Sequence, residues 1–159
     1  MKDYGKTAKE LFLAGYNCSQ AVFCAFAEDL GIERALAAKM SASFGGGLGR
    51  LRMTCGCVSG AMMVLGLALG YDPENSQRDA KAEHYEKVRA LAAALEERNG
   101  SLICKELLAM KGVDATAGGA PEERTEEYYK RRPCPEYVRI AAEETAKILI
   151  EFDCIRDVD

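Results

Sequence analysis

Apolar positions along this chain fall into runs rich in Ala, Leu and Met, broken by charged stretches and by glycine. Val and Ile are sparse and strand signals are weak, so the pattern reads as all-α. A short first helix is predicted over residues 7–13. Asn17 is a good N-cap and opens a second helix, which Gly31 stops. A third covers 33–43 and is broken by the glycine-rich GGGLGR at 45–50. The most apolar run, MTCGCVSGAMMVLGL at 53–67, predicts a helix from Cys55 or Gly56 to Gly70. DPENSQRD leads into a long helix over 77–98, ended by Asn99 and Gly100. Ser101 caps a short helix reaching Met110, and 112–120 is a Gly/Ala-rich loop. Pro121 is expected to open a charged helix to Arg131. After the break RPCPEY, a final helix runs from Pro135 to about Asp153. No linker or repeat divides these elements, so residues 1–159 read as a single-domain multi-helix bundle.

Composition narrows the function. With 159 residues and 48% hydrophobic content the chain can bury one core. A net charge of −4 and a pI near 5.2 leave no basic field to hold nucleic acid. No apolar run reaches the roughly 18 residues needed to span a membrane. The N-terminal MKDYGKTAKELFLAGYNCSQ lacks the apolar core of a signal peptide and a twin-arginine pair, so a cytoplasmic location is expected. Seven cysteines in a reducing compartment point to metal ligands or redox thiols rather than disulfides, and an odd count cannot pair completely.

On the predicted helices the cysteines are not scattered. Cys18 follows the Asn17 cap, Cys55 and Cys57 straddle a helix start, Cys104 lies in a first turn, and Cys134 precedes a helix-opening proline as its expected N-cap. Helix N-termini present unpaired N–H donors and the positive end of the dipole. A thiolate there has a lowered pKa, is more nucleophilic and binds metal more readily. Five cysteines at four N-termini therefore predict a convergent site. A small buried hydrophobe is the other use of cysteine. It is the expected role of Cys24 in mid-helix and of Cys154 at a helix end. Cys24 lies roughly 120° round the helix from Cys18, so the two do not share a face.

Other features carry less chemistry. Gly56 and Gly60, repeated in spacing by Gly66 and Gly70, leave a smooth face for a close helix or a cofactor. GGGLGR lacks the lysine of a phosphate loop and reads as a flexible crossing that lets Cys55 reach the site. Met62 and Met63 read as core. His84, the sole histidine, sits in a charged stretch and reads as solvated, with ligation as its other use. EERTEEYYKRR reads as a solvated amphipathic surface. A single histidine gives no serine–histidine–acid arrangement.

YNCSQAV at 16–22, FGGGLGR at 44–50, CGCVSGAMMVLGL at 55–67, and the cysteines of LICKELL and RRPCPEYV together resemble the redox-active proteins named for their C, GCAxxG, C, C cysteine pattern. That resemblance covers nearly the whole chain and implies a small helical protein with a redox function. Carried over by position, its signature cysteines are Cys18, one of Cys55 and Cys57, Cys104 and Cys134. The chain departs from the pattern in having cysteine on both sides of Gly56, with Val58 and Ser59 before Gly60.

Three functions follow. The first is an iron–sulfur cluster, two-iron by preference, held by Cys18, Cys104, Cys134 and Cys55 or Cys57 for electron transfer, with Cys57 as the provisional fourth metal ligand. The second is a cofactor-free thiol–disulfide protein, with Cys55 and Cys57 as the redox pair. The third is a structural zinc site, although the chain lacks paired C-x-x-C knuckles. A redox partner protein is expected, with a homodimer as a further assembly, and neither nucleic acid nor membrane.

Overall fold

Asp3 fixes the start of the first helix, α1 (Tyr4–Leu13), by accepting from the Lys6 amide at 2.8 Å. The helix therefore begins three residues before the apolar pattern indicated. The structure is a computed structural model and describes residues 2–156. Asn17 and Gln20 form a capping box at the head of α2 (Cys18–Ala27): each side chain bonds the other's backbone amide, at 2.9 and 3.0 Å. α2 ends before Gly31. That glycine, at φ 83°, terminates it as expected, and the Ile32 amide returns to Ala27 O at 2.9 Å.

α3 (Arg34–Ser41) continues as a 3-10 turn over Ala42–Phe44, and α4 (Gly45–Leu48) is one irregular turn. The apolar α5 (Gly56–Leu69) and the long α6 (Ala80–Asn99) follow, then α7 (Cys104–Ala109), α8 (Glu126–Arg131) and α9 (Cys134–Glu151). Beyond α1, four starts differ from expectation, α6 simply by beginning at Ala80 rather than at residue 77. The cap of α7 is Ile103, because Ser101 Oγ accepts from the Ile103 amide at 3.0 Å one step too early to cap the helix. Thr125, not Pro121, opens α8. Residues 121–125 form no helix: the Thr125 amide turns back to Glu123 O at 3.0 Å, and Arg124 donates to Phe12 O and Tyr16 O at 3.2 and 3.4 Å. Pro133 caps α9, which makes Cys134 its first helical residue rather than its cap.

α2 is the central helix, packed by α1, α3, α5 and α9, and Val22, Phe23 and Phe26 are fully enclosed. Burial of each such side chain contributes about 1.5–3 kcal/mol. Tyr4 stacks on Phe26 with ring centroids 4.2 Å apart, which docks the start of α1. α9 closes the core with Val138, Ala141, Ala142 and Leu149. α6 is an outer helix that buries only Leu91 and Leu95. Among the described residues there is no strand, only an isolated antiparallel bridge between Thr54 and Ile103. Among the described residues no helix is long and apolar enough to cross a membrane.

The tightest contact in the bundle is between α2 and α5. A Cβ on Gly60 would lie 2.7 Å from Ser19 O and 3.1 Å from Val22 Cβ, so the helices meet at backbone distance. Six residues on, a Cβ on Gly66 would meet nothing within 4 Å. Gly60→Ala is expected to destabilise by about 1–3 kcal/mol through overpacking. Gly66→Ala is expected to stabilise by up to about 1 kcal/mol through helix propensity. Urea titrations of both variants check the contrast, and equal effects would show that the α2–α5 approach is looser than this.

Candidate functional site

Cys18 is the first residue of α2, Cys55 the N-cap of α5, Cys104 the first residue of α7 and Cys134 the first of α9. All four line one cavity of about 290 Å³. Cys57, one position further into α5 than Gly56, is not in the cavity wall. Its thiol is buried behind the others and hydrogen-bonds with those of Cys18 and Cys55.

Two backbone arrangements bring the cysteines together. At Gly56 an added Cβ would stand 3.0 Å from Phe44 O and 3.1 Å from both Cys18 Cβ and the Ser19 amide nitrogen. Only glycine lets the head of α5 abut the head of α2. On the other side, residues 52–55 are zipped to residues 102–105. The Cys55 amide donates to Leu102 O at 2.8 Å, Cys104 N to Met53 O at 2.7 Å and Lys105 N to Arg52 O at 3.2 Å. The zipper sets Cys55 beside Cys104.

The crossing that leads into it is strained. Leu48, Arg50 and Arg52 have φ of 73°, 68° and 59°, interleaved with left-handed glycines. Each non-glycine costs about 1–2 kcal/mol in this region. The strain is held by Arg50 Nε on Gly118 O at 3.0 Å and by the Arg52 amide on Gly46 O at 3.2 Å. Its result is that the Arg52 side chain is turned inward and buried, where Nη1 donates to Cys104 Sγ at 3.7 Å.

Positive charge collects here in a chain that is acidic as a whole. Arg50, Arg52, Arg124 and Arg132 line the cavity, and Glu122 is its one acidic residue. Arg132 is 8% exposed, lies over the Tyr128 ring at 4.9 Å and gives Nη2 to Glu122. Its Nε is buried with no hydrogen-bond partner among the described residues. An orphaned donor of this kind costs about 1–3 kcal/mol.

The thiols polarise one another. Hydrogen bonds from Cys134 and then Cys57 hold the Cys18 thiol well below its ordinary pKa against the effect of burial, with Arg124 and Arg132 assisting. The same contacts push Cys134 and Cys57 well above theirs, because each keeps its proton as a donor toward Cys18. Burial raises Cys104, opposed by the Arg52 hydrogen bond. Among the described residues, no group of three or more His, Cys, Asp or Glu side chains is arranged to hold a metal ion.

The remaining sequence candidates lie elsewhere. Cys24 is buried within α2 near Arg34 O (3.7 Å), and Cys154 lies near Ala68 O (3.9 Å). His84 is half-buried, edge-on to Tyr71 at 6.1 Å, and outside the cavity. Met62 and Met63 pack against the core. GGGLGR supplies cavity wall as well as the crossing. EERTEEYYKRR is not simply a solvated surface: Tyr128 and Arg132 are buried and line the cavity with Arg124. The available signal was its position, since it ends one residue before the Pro133–Cys134 pair and the chain must carry it to the site.

The chain matches the family described as "Putative redox-active protein (C_GCAxxG_C_C)" over residues 16–148. It belongs to that family. The pattern in the family's name holds four cysteines, and four cysteines of this chain line the cavity. No curated protein and no solved structure matches the chain.

In metal-free protein a brief iodoacetamide pulse at neutral pH is expected to modify Cys18 well before Cys24. Hydrogen bonds from its neighbours lower the pKa of the first, whereas burial raises that of the second. Peptide mass spectrometry reads the order, and prior labelling of Cys24 would remove Cys18 as the reactive thiol.

Proposed function

We propose that this family member is an electron-transfer protein in which Cys18, Cys55, Cys104 and Cys134 hold an iron–sulfur cluster of the two-iron kind. The observation that supports it is the meeting of these four cysteines, all at helix starts, on one cavity. An all-thiolate donor set suits cluster iron. A lone tetrahedral zinc needs four ligands round one point, and the side chains are not grouped in that way. A two-iron cluster asks for two thiolates on each iron. When bound, it would supply one-electron chemistry.

The chain's own residues do the rest. The amides at the heads of α2, α5 and α9 offset thiolate charge. Arg52 Nη1 donates to Cys104. The low exposure of Cys55 and Cys104, 6% and 8%, limits water. A redox protein is the proposed partner.

A second reading has its own support in the contacts of Cys18. As thiolate it can attack a disulfide of a partner, releasing one partner sulfur as thiolate and forming a mixed disulfide. Attack by Cys134 or Cys57 on Cys18 then releases the second partner sulfur. The chain gives up two electrons, and one internal S–S bond remains. The pair is then Cys18 with a neighbour rather than Cys55 with Cys57.

Iron, acid-labile sulfide and visible absorbance after anaerobic purification separate the two. Cys55→Ser, Cys104→Ser and Cys134→Ser are each expected to lose most of the iron and colour, and Cys57→Ser to keep them. Loss of the cluster should also lower thermal stability, because only the folded chain binds it. Metal-free, colourless wild type after attempted reconstitution would remove the cluster reading. The thiol reading then requires two thiols to be consumed by a disulfide oxidant in wild type but not in Cys18→Ser.

A further inference from the structure

Arg132 is the one cavity arginine left with a buried donor that nothing accepts. Arg50 and Arg52 give Nε to Gly118 O and Thr116 O, and Arg124 gives both terminal nitrogens to carbonyls of the α1 end. Arg132 gives Nη2 to Glu122, while its Nε has no partner among the described residues. The side chain is 5% exposed, so solvent does not readily serve it. The guanidinium is held between the Tyr128 ring, 4.9 Å from Cζ, and the Glu122 carboxylate. Arg132 stands in the cavity wall with the four cysteines, facing one acidic residue and three other arginines.

We propose that Arg132 and this cavity form a binding site for an anionic sulfur, which accepts the Nε hydrogen bond. A soft, spread-out anion suits a weakly hydrated guanidinium, and the cavity's positive excess selects charge of that sign. The acceptor has two sources: a sulfur of the cluster, or a free sulfur-bearing anion such as thiosulfate. The first source rests on the cluster reading above; the second does not.

The test uses the full chain in two states. In metal-free protein, thiosulfate binding is measured by calorimetry for wild type, Arg132→Gln and Arg132→Lys. Binding about tenfold weaker or more in both variants is expected if the acceptor is a free anion, since a hydrogen bond to a charged group is worth at least that factor. Lysine keeps the charge but lacks the fixed planar fork, so it reads the hydrogen bond apart from the charge. In cluster-loaded protein with equal iron content, the midpoint potential is expected to fall in both variants if the acceptor is a cluster sulfur, because a donor to that sulfur favours the reduced form. Either result supports the site and identifies its source. A wild type that stays metal-free after attempted reconstitution yet binds thiosulfate through Arg132 ends the cluster reading and leaves this one standing. The inference is overturned if Arg132→Lys behaves as wild type in both measurements, or if wild type binds no thiosulfate and the potential is unmoved.

Discussion

The meeting of α2 and α5 at backbone distance is the constraint from which the site follows. Helices carrying ordinary side chains pack about 8–10 Å apart, too far for residues at their first turns to bring small thiols into contact. At Gly60 there is no room for a Cβ, at Gly56 a Cβ would crowd its neighbours at 3.0–3.1 Å, and the head of α5 lies against Cys18 and Ser19. The capped start of α2 is tied down in turn by Asn17 Nδ2 on Ala42 O at 3.0 Å. Any shift that eased this contact would separate Cys18 from Cys55 and Cys57 together. Glycine lowers helix propensity at these places, and the closer approach offsets that cost.

Grouping thiols has an electrostatic cost that the surrounding residues must offset. Each ionised sulfur raises the pKa of its neighbours, and burial raises it further. Here the load is divided: the mutual contacts lower the pKa of Cys18 and raise those of Cys134 and Cys57, and arginines complete the surroundings. The strained crossing belongs to the same arrangement. Without the left-handed φ of 59° at Arg52 the guanidinium would not turn toward Cys104. Strain in the chain thus holds a charge in place.

The helices were legible because their signals are local. Ala- and Leu-rich runs, the Asn17 cap and the Gly31 stop are read within a turn or two, and α2 and α5 start where those signals place them. The cysteines at helix starts were legible for the same reason. What escaped depends on partners distant in sequence. The zipper of 52–55 on 102–105 is a pair of short segments with no strand pattern. The non-helical path of 121–125 accompanies Arg124 reaching back to α1, which no helix propensity encodes. Arg132 sits in a run of charges whose composition says surface, and only the fold buries it over Tyr128. Between Cys55 and Cys57, local position could not choose, since both lie in the same first turn. Their places relative to the cavity depend on which way α5 is rotated against α2.

The order in which the cavity acquires its walls also bears on biosynthesis. Cys18 comes from α2, Cys55 from α5, Cys104 from α7 and Cys134 from α9, the last helix of the fold. Chains emerge from the ribosome N-terminus first. Three of the four cavity cysteines are therefore synthesised before the helix that completes the cavity. That same helix covers α1, whose Phe12 and Ala8 are buried in the complete fold. A chain released before α9 would display reactive sulfur and apolar surface at once. Completion of one C-terminal helix ends both exposures in a single step.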